Sequence, residues 1–120
     1  MSQPNVTMKV RPVNGKSCFI DIQGEVTAWA ENALMDAYNQ ATSAGAKEII
    51  LNFAQLDFMN SSGIGLLVTL LIRVKRQNQR LLACHLGEHY QQIFELTRLN
   101  EVIDIYKTEA DVLRSLPIAG

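Results

Sequence analysis

The rhythm of hydrophobic and polar positions changes several times along the chain, and each rhythm predicts an element. Met8 to Val13 has strand character, Asn14-Gly15 is a two-residue hairpin signal, and Ser17 to Ile22 resumes with β-favouring Cys18, Phe19 and Ile20. A hairpin opens the fold. From Thr27, with Glu31 in the first turn, apolar residues recur at Ala30, Ala33, Leu34, Ala37, Tyr38 and Ala41, and Gly45 follows as a stop. That is an amphipathic helix with one buried face. Ile49, Ile50, Leu51 and Phe53 form a short apolar run, as expected of a strand covered on both faces.

Gln55 and Asp57 separate this strand from the turn Asn60-Ser61-Ser62-Gly63, after which Ile64 to Gln77 carries helical periodicity. Its stripe Ile64, Leu67, Val68, Leu71 and Ile72 is expected to face the core, leaving Leu66 and Leu70 on an outer edge with Thr69 and Arg73. Leu81 to Leu86 reads as a strand, Glu88 to Leu99 as a helix using Tyr90, Ile93, Phe94 and Leu96, and Val102 to Tyr106 as a last strand. Ala110, Val112, Leu113 and Leu116 predict a terminal helix stopped by Pro117. Strands alternating with helices give parallel units joined by crossovers, and the hairpin adds antiparallel pairing. The class is α/β with a mixed sheet of about five strands and helices mainly on one side. Ile49, Leu51, Phe53, Leu67, Leu71, Ile93 and Phe94 are expected in its core.

The 120 residues carry 48% hydrophobic side chains and a net charge of -1, which describes one domain spanning 1–120. Near-neutral charge supplies no basic field for a phosphate backbone, so nucleic acid is not expected as a partner. The apolar stretch Leu66 to Ile72 falls far short of the roughly 20 residues that span a bilayer, so no membrane insertion is expected. The start Met1-Ser2-Gln3-Pro4 lacks the charged and apolar runs of an export signal, and a cytoplasmic location is expected. Cys18 and Cys84 sit among strand-like apolar residues and read as small buried hydrophobes in a reducing compartment.

Enzyme chemistry finds little support. His85-Leu86-Gly87-Glu88-His89 matches the H-x-x-E-H pattern of a zinc peptidase, but that site needs both imidazoles on one helix, whereas His85 ends a strand and Gly87 intervenes. Ser61 and Ser62 lack the flanking glycines of a nucleophile elbow, and Gly63-Ile64-Gly65 lacks the remaining parts of either nucleotide loop. No cofactor is called for, and the chain is expected not to be an enzyme. What remains is the polar turn. Asn60, Ser61 and Ser62 stand at a helix N-terminus, where a side-chain oxygen caps free amides and the dipole favours negative charge. Capping accounts for one or two of them, and the surplus of apolar residues behind the turn suggests a protein-binding patch.

The run from Leu51 through Asp57-Phe58-Met59-Asn60-Ser61-Ser62-Gly63-Ile64-Gly65 resembles the signature of the anti-sigma factor antagonists, bacterial members of the STAS domain family. The resemblance covers nearly the whole chain, from Gly24-Glu25-Val26 to the helix holding Phe94. It implies a STAS-like single domain in which Ser61 is phosphorylated by a partner kinase, the anti-sigma factor. The unphosphorylated form binds that factor and frees a sigma factor; a phosphatase would reverse the modification. The surplus apolar area beside the polar turn predicts a contact surface of Asn60, Ser62, Gly63, Ile64 and Gly65 with Leu66, Thr69, Leu70 and Arg73. Asn60 stands where an aspartate is usual, keeping the cap while removing a charge beside the acceptor. That departure points to an alternative, a constitutive adaptor in a larger signalling or transport complex without a phosphoryl switch.

Overall fold

The hairpin at Asn14-Gly15 joins β1 (Val6–Asn14) to β2 (Ser17–Val26), with Met8 opposite Ile22 and Val10 opposite Ile20, in a computed structural model that describes residues 5–117. The Met1-Ser2-Gln3-Pro4 start lies outside the described residues. β3 (Glu48–Met59), β4 (Arg80–Cys84) and β5 (Asp104–Tyr106) then add in parallel, so the five strands lie side by side in chain order. Helices α1 (Glu31–Ser43), α2 (Ser61–Arg76) and α3 (Glu88–Leu96) link successive parallel strands, and α4 (Glu109–Ser115) follows β5. The α/β class and the mixed five-stranded sheet are as the sequence predicts.

Strand alternation sorts the interior into two layers. Ile20, Ile22, Ile49, Leu51, Leu81 and Ala83 pack on one face against Leu34, Ala37, Leu67, Leu70 and Phe94 from α1, α2 and α3. Their neighbours Phe19, Ile50, Leu82 and Cys84 face the other way and meet Val112 of α4. Both faces of the sheet are therefore covered at residues 49–51, which is why that run reads as continuously apolar. β3 runs on to Met59, well past Phe53. Its pairing with β4 stops at Asn52, and beyond a register shift it keeps only β2 as a partner. A strand covered by fewer neighbours tolerates Gln55 and Asp57, and their polarity hid the extension.

Cys18 and Cys84 are both buried and unpaired, and they belong to opposite layers. Burial pushes the Cys84 thiol up to about 12. α1 proper starts at Glu31, after a 3-10 turn over Ala28–Ala30 whose Trp29 N–H donates to the Thr27 hydroxyl at 3.3 Å. α3 stops at Leu96 rather than Leu99 because Arg98 takes a left-handed conformation, φ 61°. Leu71 and Ile93, expected in the core, are half-buried.

On the α4 face, Arg11 grips Asp21 through two hydrogen bonds of 2.9 and 3.0 Å, also pairs with Glu109, and lies 4.6 Å over the Phe19 ring. Asn52 Nδ2 donates to the same Asp21 at 2.9 Å. Hydrogen bonding from Arg11 holds the Asp21 carboxyl below its ordinary range. A depressed carboxylate contributes stability above its unfolded pKa of about 3.9 and loses it as pH falls toward the folded value. Urea midpoints of the parent should therefore fall more steeply between pH 5 and pH 3 than those of Asp21→Asn; equal slopes would remove the pair from the stability account.

The two faces of α2 supply a second measurement. Leu70 is 0% exposed and Ile72 is 48% exposed. Leu70→Ala should cost about 2–5 kcal/mol in urea denaturation, whereas Ile72→Ala should stay within about 0.5 kcal/mol of the parent. Similar losses from both would contradict this orientation.

Candidate functional site

The polar turn stands where β3 ends. The Met59 N–H donates to the Tyr90 hydroxyl of α3 at 2.9 Å, and the Asn60 N–H donates to the Val26 carbonyl of β2 at 3.3 Å. Strand end and turn are thus pinned from two sides. Asn60 has extended backbone, and its Oδ1 accepts the Gly63 N–H at 2.9 Å while its carbonyl accepts the Ile64 N–H at 3.0 Å. Of the three polar residues, Asn60 is the cap. Ser61 and Ser62 become the first two helical residues, and both are exposed. The helix starts at Ser61, three residues before the expected Ile64, because the cap recruits the turn into the first coil.

Gly63 is required by closeness. A β-carbon there would stand 2.1 Å from the Val26 carbonyl oxygen and 2.9 Å from Met59 Cγ. Gly65 has a different setting, with open space where a β-carbon would go. The first turn of α2 holds no acidic residue, and its basic residues Arg73, Lys75 and Arg76 gather in the last turn. Ser61 therefore sees the positive end of the helix with no neighbouring carboxylate on that turn.

The outward face of α2 differs from the sequence expectation. Leu66 and Leu70, expected on the outer edge, are 9% and 0% exposed and belong to the core, whereas Val68 and Ile72, expected inside, are 40% and 48% exposed. The deciding residue is Val74, buried between exposed Arg73 and Lys75. Counting back from it by helical steps gives Leu70, Leu67, Leu66 and Gly63, which are all buried. The solvent face then reads Ser61, Gly65, Val68, Ile72, an apolar stripe headed by a hydroxyl, flanked by Ser62, Thr69 and Arg73. Ile64 is half-buried, and Thr69 donates its hydroxyl to the Gly65 carbonyl at 3.2 Å.

The sequence reading missed Trp29. It is 67% exposed on the 3-10 turn that touches α2, and its isolation among small alanines was the available signal. His85 sits in a left-handed conformation, φ 56°, between β4 and α3, while His89 is within α3 with its ring 5.0 Å from that of Tyr90. The two imidazoles do not share a helix. A concavity of about 420 Å³ on the α4 face, lined in part by Lys9, Arg11, Asp21 and Asn52, is built from other elements than the Ser61 turn.

Comparison with known proteins bears on this geometry. The pattern of the STAS domain matches residues 5–112. The anti-sigma-B factor antagonist of Bacillus subtilis is 26% identical over 101 residues, covering 84% of this chain and 91% of that protein. The anti-sigma-B factor antagonist of Listeria monocytogenes is 18% identical, covering 90% and 95%. An anti-sigma factor antagonist from Mycobacterium paratuberculosis superposes with a TM-score of 0.75 at 20% identity, covering 96% and 97%. The Bacillus cell fate determinant SpoIIAA, solved in its phosphorylated form, superposes with a TM-score of 0.71 at 21% identity, covering 92% and 100%.

The two glycines should respond oppositely to one added methyl. Gly63→Ala forces a contact with backbone and should lower stability by about 1–3 kcal/mol or more. Gly65→Ala, in open space within a helix, should raise it by about 0.5–1 kcal/mol. Thermal melts of both variants check the pair, and a neutral Gly63→Ala would mean that the turn yields.

Proposed function

The chain belongs to the STAS domain family, and from that premise we propose that it is an anti-sigma factor antagonist switched by phosphorylation of Ser61. The observation that carries this reading is the exposed Ser61 hydroxyl at the head of the Gly65, Val68, Ile72 stripe. Its partner is a kinase-type anti-sigma factor, which binds this stripe and uses Ser61 as its substrate; a phosphatase restores the hydroxyl. The protein contributes a surface and an acceptor rather than a catalytic centre. Relatives named as anti-sigma-B factor antagonists and a fold neighbour solved in a phosphorylated form support it. Asn60 suits the role, since its amide oxygen makes the cap that a carboxylate would make.

Phosphate on Ser61 is the off state. It adds about -1.5 to -2 charges at a helix N-terminus whose free amides and dipole accommodate them, so the fold survives. At the interface the same dianion would have to lose its water against an apolar patch, a cost of several kcal/mol when unpaired. The test uses purified kinase-type anti-sigma factor from the same source. Ser61→Ala should bind normally and resist phosphorylation, and Ser61→Asp should keep its melting temperature yet bind at least tenfold more weakly, about 1.4 kcal/mol. Equal binding by all forms would favour the constitutive adaptor, and phosphate found by mass spectrometry on Ser62 would overturn Ser61 as the acceptor.

A further inference from the structure

The far end of α2 carries an unusual charge distribution. Between Asp57 and Glu88 the sequence holds Arg73, Lys75, Arg76 and Arg80 and no acidic residue, in a chain of net charge -1. Arg80 is engaged, with its guanidinium 2.8 Å from Asp104. Arg73 and Arg76 make no ion pair with another described residue. Both line one cleft of about 370 Å³, together with Tyr38, Asn39, Thr42 and Gln77, where α1 and α2 end. Among the described residues, the lining contains no carboxylate.

A helix C-terminus ordinarily explains cations by its free carbonyls. Here three of the last four carbonyls already have donors. The Arg73 carbonyl accepts the Gln77 N–H at 3.1 Å, the Val74 carbonyl accepts the Gln79 N–H at 2.9 Å, and the Lys75 carbonyl accepts the Asn78 N–H at 3.2 Å. The cleft wall is also fixed from within. Buried Gln79 accepts the Tyr38 hydroxyl at 2.8 Å and donates to the Thr42 hydroxyl at 3.1 Å. Arg73 and Arg76 thus line a preformed polar cleft, and neither is held in an ion pair among the described residues, a setting suited to a carboxylate. Arg76 also continues the outward stripe, because Ser61, Gly65, Val68, Ile72 and Arg76 follow each other at helical spacing.

We propose that this cleft receives an aspartate or glutamate side chain of the protein that docks on the α2 stripe, an inference that rests on the docking reading above. The partner is then held at two points about 20 Å apart along the helix, at roughly 1.5 Å per residue. One point is a hydroxyl and the other a pair of cations. Such an asymmetric pair fixes the direction in which the partner lies along α2 and brings its phosphoryl-donating end to Ser61. It also draws an acidic surface toward the helix before contact, which makes association faster at low salt.

Two measurements test the anchor. In the first, Arg73→Glu/Arg76→Glu is compared with the parent and with Ser61→Asp for binding to the purified kinase-type anti-sigma factor, at low and high salt. The double variant, still folded but with the somewhat lower melting temperature that acidic residues bring to a helix C-terminus, should bind at least tenfold more weakly, chiefly through slower association, with a flatter salt dependence. Unchanged affinity and salt dependence, with Ser61→Asp still impaired, would overturn the anchor and leave the docking reading standing. Unchanged binding by both variants would overturn the two together. The second measurement needs no kinase. Titration of the isotope-labelled parent with hexaglutamate peptide should shift amide signals of Tyr38, Asn39, Thr42, Arg73, Arg76 and Gln77 saturably, and the double variant should lose those shifts. Equal shifts around all lysines and arginines, or none at the cleft, would overturn the anchor even if the kinase binds.

Discussion

The carbonyl oxygen of Val26, at the end of β2, has two neighbours on which the rest of the site depends. The Asn60 N–H donates to it at 3.3 Å, and Gly63 approaches so closely that a β-carbon there would stand 2.1 Å away. A backbone contact of this kind admits one residue type and one approach. It sets the depth at which α2 enters the fold, directs Leu66, Leu67, Leu70 and Val74 inward, and leaves Ser61 and Ser62 in solvent. The Tyr90 hydroxyl at the Met59 N–H fixes the preceding residue from α3. The exposed serine is thus carried by a turn held by a strand on one side and a helix on the other.

Most of the fold was legible because burial on both faces and burial on one face leave different sequence rhythms. Ile49 to Leu51 reads as apolar without interruption where helices cover both sides of the sheet, and α1 and α3 show single stripes. The orientation of α2 was not legible in the same way. From Ile64 to Ile72 every residue except Gly65 and Thr69 is a large aliphatic, so two stripes compete and the local pattern does not choose between them. The choice is made two residues later, by Val74 between two cations. The end of β3 was hidden for the opposite reason, since a strand with one lateral neighbour can carry Gln55 and Asp57 without cost. The turn was legible as a helix start, yet which of its polar residues caps and which is free is a matter of geometry.

The two faces of the sheet serve different ends. One holds α1, α2 and α3 and presents the Ser61 stripe; the other is closed by Val112 of α4 and by Arg11, which bridges β1 and β2 to Glu109. Charge follows the same division. Arg11 is paired within the fold, with Asp21 and Glu109, whereas Arg73 and Arg76 at the end of α2 have no such partners among the described residues. Fixed charge that is satisfied within a fold contributes to structure, and charge left unsatisfied on its surface is available to another molecule.

The sheet's neighbour order repeats the order of the chain, from β1 to β5. No later strand has to be inserted between two earlier ones. A polypeptide emerging from the ribosome can therefore add each strand to an existing edge, through a hairpin first and then through one helical crossover at each step. Val26, Gly63 and Val74 all precede β4, so the residues that aim α2 are synthesised before β5 and α4. The Ser61 turn is in this sense an early product of translation, and the closing of the second sheet face is a late one.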